Sequence, residues 1–192
     1  MSLYAVNGKV PVAAWIPSRD DAGNGTTTLT DLVGSNSGTL TNMDAATDWV
    51  ADTDAGGIRA LDFDGVNDTV NCGTIANLNG ATRAVLSAWI FRSATSQRVG
   101  LGAVASVASG IGNGRFSMLW FTDANIYFTH ENAAGSFSFV ALAGTGWRHV
   151  VMAYDGTQAG NANRFRAWVD NTQSTLSFAA GGVPATLGNV TP

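Results

Sequence analysis

Along most of the chain, apolar and polar residues alternate over short runs, and clusters of Gly, Asn, Asp, Ser and Thr separate the runs. A period of two marks a strand with one buried face, and nowhere does a period of 3.6 persist for three helical turns. The pattern predicts strands over residues 10–16, 26–32, 38–42, 60–63, 69–72, 85–91, 115–121, 125–130, 136–142, 147–154, 163–170 and 175–178. Residues 99–111, a run of small side chains, read as one strand and a Gly-rich bend, and residues 44–57 as a polar loop with at most one helical turn over 44–48. Leu61 and Phe63 point inward, Asp64-Gly65 turns the chain, and Val70 and Cys72 point inward again, so 60–63 and 69–72 read as a hairpin. On the strand at 85–91, Ser87, Trp89 and Phe91 share one face and Leu86, Ala88 and Ile90 the other.

The richest stretch is Trp147-Arg-His-Val-Val-Met-Ala-Tyr-Asp-Gly156 followed by Asn163-Arg-Phe-Arg-Ala-Trp-Val-Asp170. It predicts two antiparallel strands joined by a long hairpin loop. The first is apolar at nearly every position, as expected of a central strand covered on both faces. On the second, Phe165, Ala167 and Val169 point one way, and Arg164, Arg166, Trp168 and Asp170 the other. Phe63, Trp89, Val151, Phe165 and Val169 are expected in the core.

Trp-x-His-Val-Val-x-x-Tyr-Asp-Gly with Arg-Phe-x-x-Trp-Val-Asp resembles the central hairpin of the laminin G-like, concanavalin A-like jelly rolls. Leu61-Asp-Phe-Asp-Gly-Val-Asn-Asp-Thr-Val70 is similar to a second motif of that family, and Ala14-Trp15-Ile16, Thr30-Asp31, Gly34 and Gly38-Thr39-Leu40 fit its first strands. The resemblance implies an all-β fold: a two-sheet antiparallel jelly-roll β-sandwich, one domain over residues 1–192. The family's closing strand is not matched: Ala185-Thr-Leu-Gly-Asn-Val-Thr-Pro192 fits only the short strand before it. The gap is expected to be filled by Leu3-Tyr-Ala-Val6 folding back or by a strand of another subunit. We expect the second, and hence a homo-oligomer, because a bare sheet edge is rarely tolerated.

Composition narrows the function classes. Charged residues make up 12% of the chain, about half the usual share, and there is one Lys (Lys9) and one Glu (Glu131). Net charge is −4 and the basic residues are scattered, so no nucleic-acid partner is expected. Cys72 is the sole cysteine, which excludes an internal disulfide and suits a small core residue. No apolar run reaches the ~18 residues of a membrane span, and the first residues do not read as a signal peptide.

Each candidate chemistry meets a competing structural role. Glucanases of the resembling fold carry Glu-x-Asp-x-x-Glu on one strand, which a chain with a single Glu cannot build. His149 and His130 have no Gly-x-Ser-x-Gly elbow to pair with, and His149 is expected buried or stacked within the sheet. Two His and one Cys lack a zinc-ligand spacing. Asp62, Asp64, Asn67 and Asp68 cluster hard oxygen donors, and laminin G-like domains can bind calcium at their rim, but Asp64-Gly65 also serves a turn. Asp20-Asp21 beside Asn24 is a weaker cluster of the same kind. No metal or cofactor is therefore expected. Carbohydrate binding suits the fold: Trp168 with Arg164 and Arg166 makes a candidate platform, set against a Trp168 that merely covers the sheet.

The expectation is a non-catalytic, lectin-like structural or binding protein. A phage virion surface component, in a capsid decoration or fibre or tail, comes first, with other virion proteins and glycans as partners. A carbohydrate-binding module of a secreted or cell-surface bacterial protein is the alternative. Fold alone does not separate them.

Overall fold

The computed structural model describes residues 10–19, 27–44, 46–52, 58–94, 99–104, 114–120, 124–130, 137–179 and 182–188. The chain divides into two compact units, Met1–Ile75 and Ala76–Pro192. Its regular structure is mostly antiparallel β.

In the first unit, β1 (Thr28–Leu29), β2 (Gly38–Thr41) and β5 (Thr69–Asn71) form a sheet in the order β1-β2-β5, and β3 (Trp49–Asp52) pairs with β4 (Ile58–Leu61). Strand β2 alternates as its sequence demands, Gly38 and Leu40 buried, Thr39 and Thr41 exposed. Leu40 joins Leu29 and Trp49 in a small core, with Trp15, Met43, Leu61 and Val70 against it.

Asp31 is the polar centre of this unit. Its buried carboxylate accepts from the backbone N–H groups of Ala14 (2.9 Å), Val33 (3.2 Å), Gly34 (3.0 Å) and Asn36 (3.0 Å). Burial pushes the Asp31 pKa up, but these donors outweigh it and leave the group below the ordinary aspartate range. A Cβ on Gly34 would lie 2.5 Å from Asp31 Oδ2 and 2.6 Å from the Val12 carbonyl oxygen, so only glycine fits.

Four expectations fail here. Residues 10–16 form no strand; Ala14 instead donates to Asp31 and accepts from the Leu32 N–H (2.8 Å), a loop held by side-chain capping. Residues 60–63 and 69–72 are not hairpin partners, since β4 pairs back with β3 and β5 pairs with β2. The segment read as polar loop contains β3, whose Trp49 is buried. Phe63, expected in the core, lies past the end of β4 and is 44% exposed.

The second unit carries two sheets. One is four-stranded, in the order β13-β12-β11-β6, from β6 (Arg83–Arg92), β11 (Gly146–Asp155), β12 (Phe165–Val169) and β13 (Thr172–Gln173). The other is five-stranded, β14-β10-β9-β8-β7, from β7 (Val99–Val104), β8 (Gly114–Trp120), β9 (Asn125–His130), β10 (Phe137–Ala141) and β14 (Ser177–Phe178). Ile90, Val150, Met152, Tyr154, Phe165 and Ala167 of the first sheet share one core with Phe116, Met118, Trp120, Ile126 and Phe128 of the second. Phe128 meets Phe165 at 5.7 Å between ring centroids, and Phe116 meets Tyr154 at 6.5 Å, so the sheets pack face to face.

Polar side chains also enter this core. Ser117 and Thr129 pair at 2.6 Å between hydroxyl oxygens. Arg92, fully buried, lays its guanidinium 4.1 Å from the centroid of Trp120 and donates to the Gly144 carbonyl from Nε and Nη2. Residues 185–192, expected as a short strand, are described as far as 188, and the described residues 182–188 are irregular. They are fastened by Tyr154 O–H to the Pro184 carbonyl (2.9 Å), Val183 N–H to Asn161 Oδ1 (3.0 Å) and Leu187 N–H to the Ala81 carbonyl (2.9 Å). Gly156 sits beneath them, where a Cβ would come within 2.1 Å of the Ala185 carbonyl oxygen.

Candidate functional site

The four-stranded sheet buries one face and leaves the other open. Strand β6 buries Ile90 and Arg92 and half-buries Ala84, Leu86 and Ala88, while Arg83, Val85, Ser87 and Trp89 are exposed. Strand β11 likewise buries Val150, Met152 and Tyr154 and turns Trp147, His149, Val151, Ala153 and Asp155 the other way, half-buried. The central strand is thus covered on one face and only partly on the other, against the expectation of full cover on both. Trp89, expected in the core, is 67% exposed because it belongs to the face of β6 opposite Ile90. Val151 and Val169 are half-buried, and Phe165 is buried as expected.

Strand register arranges the open face in rows. Ser87, Val151, Trp168 and Gln173 lie across the four strands; Val85, Ala153 and Arg166 form the row on one side; Trp89 and His149 begin the row on the other, with Phe91 and Trp147 beyond. Trp89 stacks on His149, ring centroids 5.0 Å apart and planes inclined by 25°, and Phe91 meets Trp147 at 5.4 Å. His149 Nε2 lies 3.0 Å from Ser87 Oγ, which fixes the imidazole edge beside the indole. Trp89 and Trp168 stand two strands and one row apart, about 12 Å between Cα atoms at ordinary sheet spacings.

The charges around the face are mostly committed. Arg83 Nε pairs with Asp155 Oδ2 at 3.2 Å. The Asp155 carboxyl is held down at about 2, chiefly by the Thr157 hydroxyl, with the Thr157 N–H, Gln158 and Arg83 adding to it. Asp170 Oδ1 accepts from the His149 backbone N–H (3.0 Å), and its Oδ2 lies 3.6 Å from Arg148. Arg166 is exposed and unpaired among the described residues.

Of the three platform residues expected from sequence, Arg166 and half-buried Trp168 share this face and Arg164 does not. Arg164 ends a single helical turn, α1 (Asn161–Arg164), and donates from Nε to the Gln158 carbonyl (2.7 Å) and from Nη1 to the Val183 carbonyl (2.8 Å). Its guanidinium therefore braces the loop at the sheet end. Trp89, Ser87 and His149 complete the face in its place; the sequence signal for them was the alternation along residues 85–91 and 147–154.

Chemically, the face presents flat aromatic surface fringed by a hydroxyl, an imidazole, an amide and a cation. Ser87 and His149 have the spacing of a nucleophile and its base, but the Asp170 carboxylate meets the His149 main chain and not its ring, so the third member of a triad is not in place. The Asp64 cluster is used by its own turn: Asp64 Oδ1 accepts from Val66 N–H (2.7 Å) and Asn67 N–H (3.3 Å), and Asp68 Oδ2 from Asp64 N–H (2.7 Å). No group of three His, Cys, Asp or Glu among the described residues is placed to hold a metal ion. Residues 20–24, with the other acidic cluster, lie outside the described residues. An open polar depression in the first unit borders half-buried Cys72, whose thiol is pushed up to about 11 by burial and by Asp31, leaving it a poor nucleophile. Among the described residues no helix is long and apolar enough to cross a membrane. No protein-family model, no curated protein and no solved structure matches this chain.

Proposed function

We propose that this chain is a non-catalytic, lectin-like binding protein whose open sheet face takes a glycan. The observation that carries the reading is Trp89: a tryptophan two-thirds exposed on a regular strand, its ring braced by His149 and bordered by Ser87 Oγ. A sugar ring offers an apolar C–H face to such an indole while its hydroxyls bond neighbouring polar groups. Trp168 supplies a second aromatic surface far enough away to meet a different ring of one oligosaccharide, and Arg166 adds an unpaired cation beside it. On this reading the two sheets of the second unit are the sandwich of a concanavalin A-like jelly roll. The proposed setting is the surface of a phage particle, where the chain acts by assembly and adhesion. It rests on the sequence: the extracellular style of the motifs it resembles, in a chain with a single cysteine.

A glycan array with the purified chain tests the binding, and mass spectrometry of purified particles tests the setting. Binding of at least one glycan class is expected, lost by tenfold or more in Trp89→Ala with the melting temperature unchanged. An array without a hit, or a Trp89→Ala variant that binds as before, refutes the proposed site.

A further inference from the structure

Strand β6 is ten residues long and pairs with β11 without a bulge from Arg83 to Arg92. Among the described residues no strand pairs with its other side. The direction of its backbone groups follows from β11. His149 exchanges bonds with Asp170 on the β12 side, its carbonyl accepting from the Asp170 N–H (2.9 Å) and its N–H bonding the Asp170 carboxylate. Gly156, of the opposite parity, donates to the Thr82 carbonyl on the β6 side. Even-numbered residues of β11 therefore bond β6, and their partners Ala84, Leu86, Ala88, Ile90 and Arg92 use their own N–H and C=O groups there. By alternation Arg83, Val85, Ser87, Trp89 and Phe91 direct theirs to the open edge.

This edge lacks the usual guards against pairing. Residues 84–91 contain no charge, Pro or Gly. Arg83 is neutralised by Asp155, and Arg92 turns into the core. Val85 and Trp89, 69% and 67% exposed, are large apolar side chains on the same residues that open the edge.

We propose that β6 is a self-association edge, pairing antiparallel with β6 of a second copy about a two-fold axis at Ser87. With Ser87 opposite Ser87 of the other copy, all five edge residues pair as hydrogen-bonded couples, about ten bonds in all. Registers displaced by two residues lose one couple. In the central register Trp89 faces Val85 of the other copy twice over, an aromatic against a β-branched side chain, and Phe91 faces Arg83. The core face of each sheet remains inward, so the two four-stranded sheets join into one. A two-fold axis is the ordinary symmetry of such a contact. This inference stands apart from the glycan reading, since it uses the backbone edge of β6 and needs no sugar.

Sedimentation equilibrium of the full chain, with Ser87→Lys and Ser87→Cys variants, tests it. The wild type is expected to dimerise at micromolar concentration. Ser87→Lys sets like charges opposite each other on the axis and should raise the dissociation constant tenfold or more without lowering the melting temperature. Ser87→Cys should cross-link on mild oxidation, because hydrogen-bonded antiparallel couples place Cα atoms about 5.5 Å apart, within disulfide reach. A wild type monomeric at tens of micromolar overturns the proposal. So does a dimer indifferent to Ser87→Lys that gives no cross-link. So does a monomer whose Val85, Ser87 and Trp89 amides resist hydrogen exchange, which would mean that another segment of the chain covers the edge.

Discussion

Replacing His130 by leucine should make the protein more resistant to acid, and the size of the effect follows from the site. The His130 side chain is 1% exposed, 4.8 Å from the ring of Phe165 and 6.4 Å from that of Phe178 between centroids, and among the described residues neither ring nitrogen has a hydrogen-bond partner. Burial drives its pKa from 6.5 down to about 4, outweighing an opposing effect of its own backbone. The folded protein thus holds the imidazole neutral while the unfolded chain takes up a proton, and the unfolded state binds more protons between these values. Its contribution is fully present above pH 6.5 and is lost as pH falls towards 4. A displacement of that size corresponds to about 3 kcal/mol. Leucine has similar bulk, no nitrogens to leave unbonded and nothing to protonate, so His130→Leu should match or exceed wild-type stability at pH 7. Urea denaturation of both proteins in steps from pH 7 to 4 measures this. The difference between them cancels the carboxylates they share, and it should widen by about 3 kcal/mol as pH falls. A difference constant to within about 0.5 kcal/mol, or a His130 ring resonance that titrates above pH 6 in the folded protein, would refute the reasoning.

Other consequences can be checked in the same way. Phe165→Ala, which removes a ring 1% exposed at the centre of the core, should cost about 3–5 kcal/mol in denaturant unfolding. Asp31→Asn turns one acceptor of four backbone amides into a donor and should cost about 2–3 kcal/mol at pH 7. Because the Asp31 pKa is lowered on folding, that penalty should shrink in unfolding experiments as pH falls below the usual aspartate value.

Strands rich in β-branched and aromatic residues, with sharp turn residues at both ends, were legible in the sequence. Asn125–His130 was read to the residue, and Phe137–Ala141 and Gly146–Asp155 within one. Pairing was less legible. The Asp64-Gly65 turn looks local, yet its two flanking strands bond to strands elsewhere in the chain, and nothing in ten residues of sequence records a distant partner. Strand β3 was missed because Trp49-Val-Ala-Asp52 is short and set among polar residues; its burial comes from the contact with β4 and Leu29. Residues 10–16 have the β-branched content of a strand, but Ala14 is spent on the Asp31 carboxylate, a capping contact no period reveals. For the candidate site, alternation along β6 sorted the side chains into two faces correctly. It did not tell which face is open, because Leu86, Ala88 and Ile90 are hardly more apolar than Val85, Trp89 and Phe91. Arg164 is misplaced because the expected strand starts two residues too early, inside a helical turn led by Gly160.

The longest pairing in the second unit, β6 against β11, also shapes how the chain reaches this structure. The four strands β7 to β10 lie between its two members in sequence and form a meander of successive antiparallel neighbours, each joined to the next over a short distance. Closing β6 onto β11 directly would demand ordering a loop of some fifty residues before any bond rewarded it. Forming the meander first shortens that loop to the span between the ends of one small sheet, and exposes Phe116, Met118 and Phe128 as a surface on which β6 and β11 can meet. Folding of this unit should then be limited by a late, non-local step, in the millisecond-to-second range typical of all-β topologies. Until that step is complete, the apolar face of the meander is uncovered, which makes the partly folded chain rather than the finished structure the state most prone to aggregate.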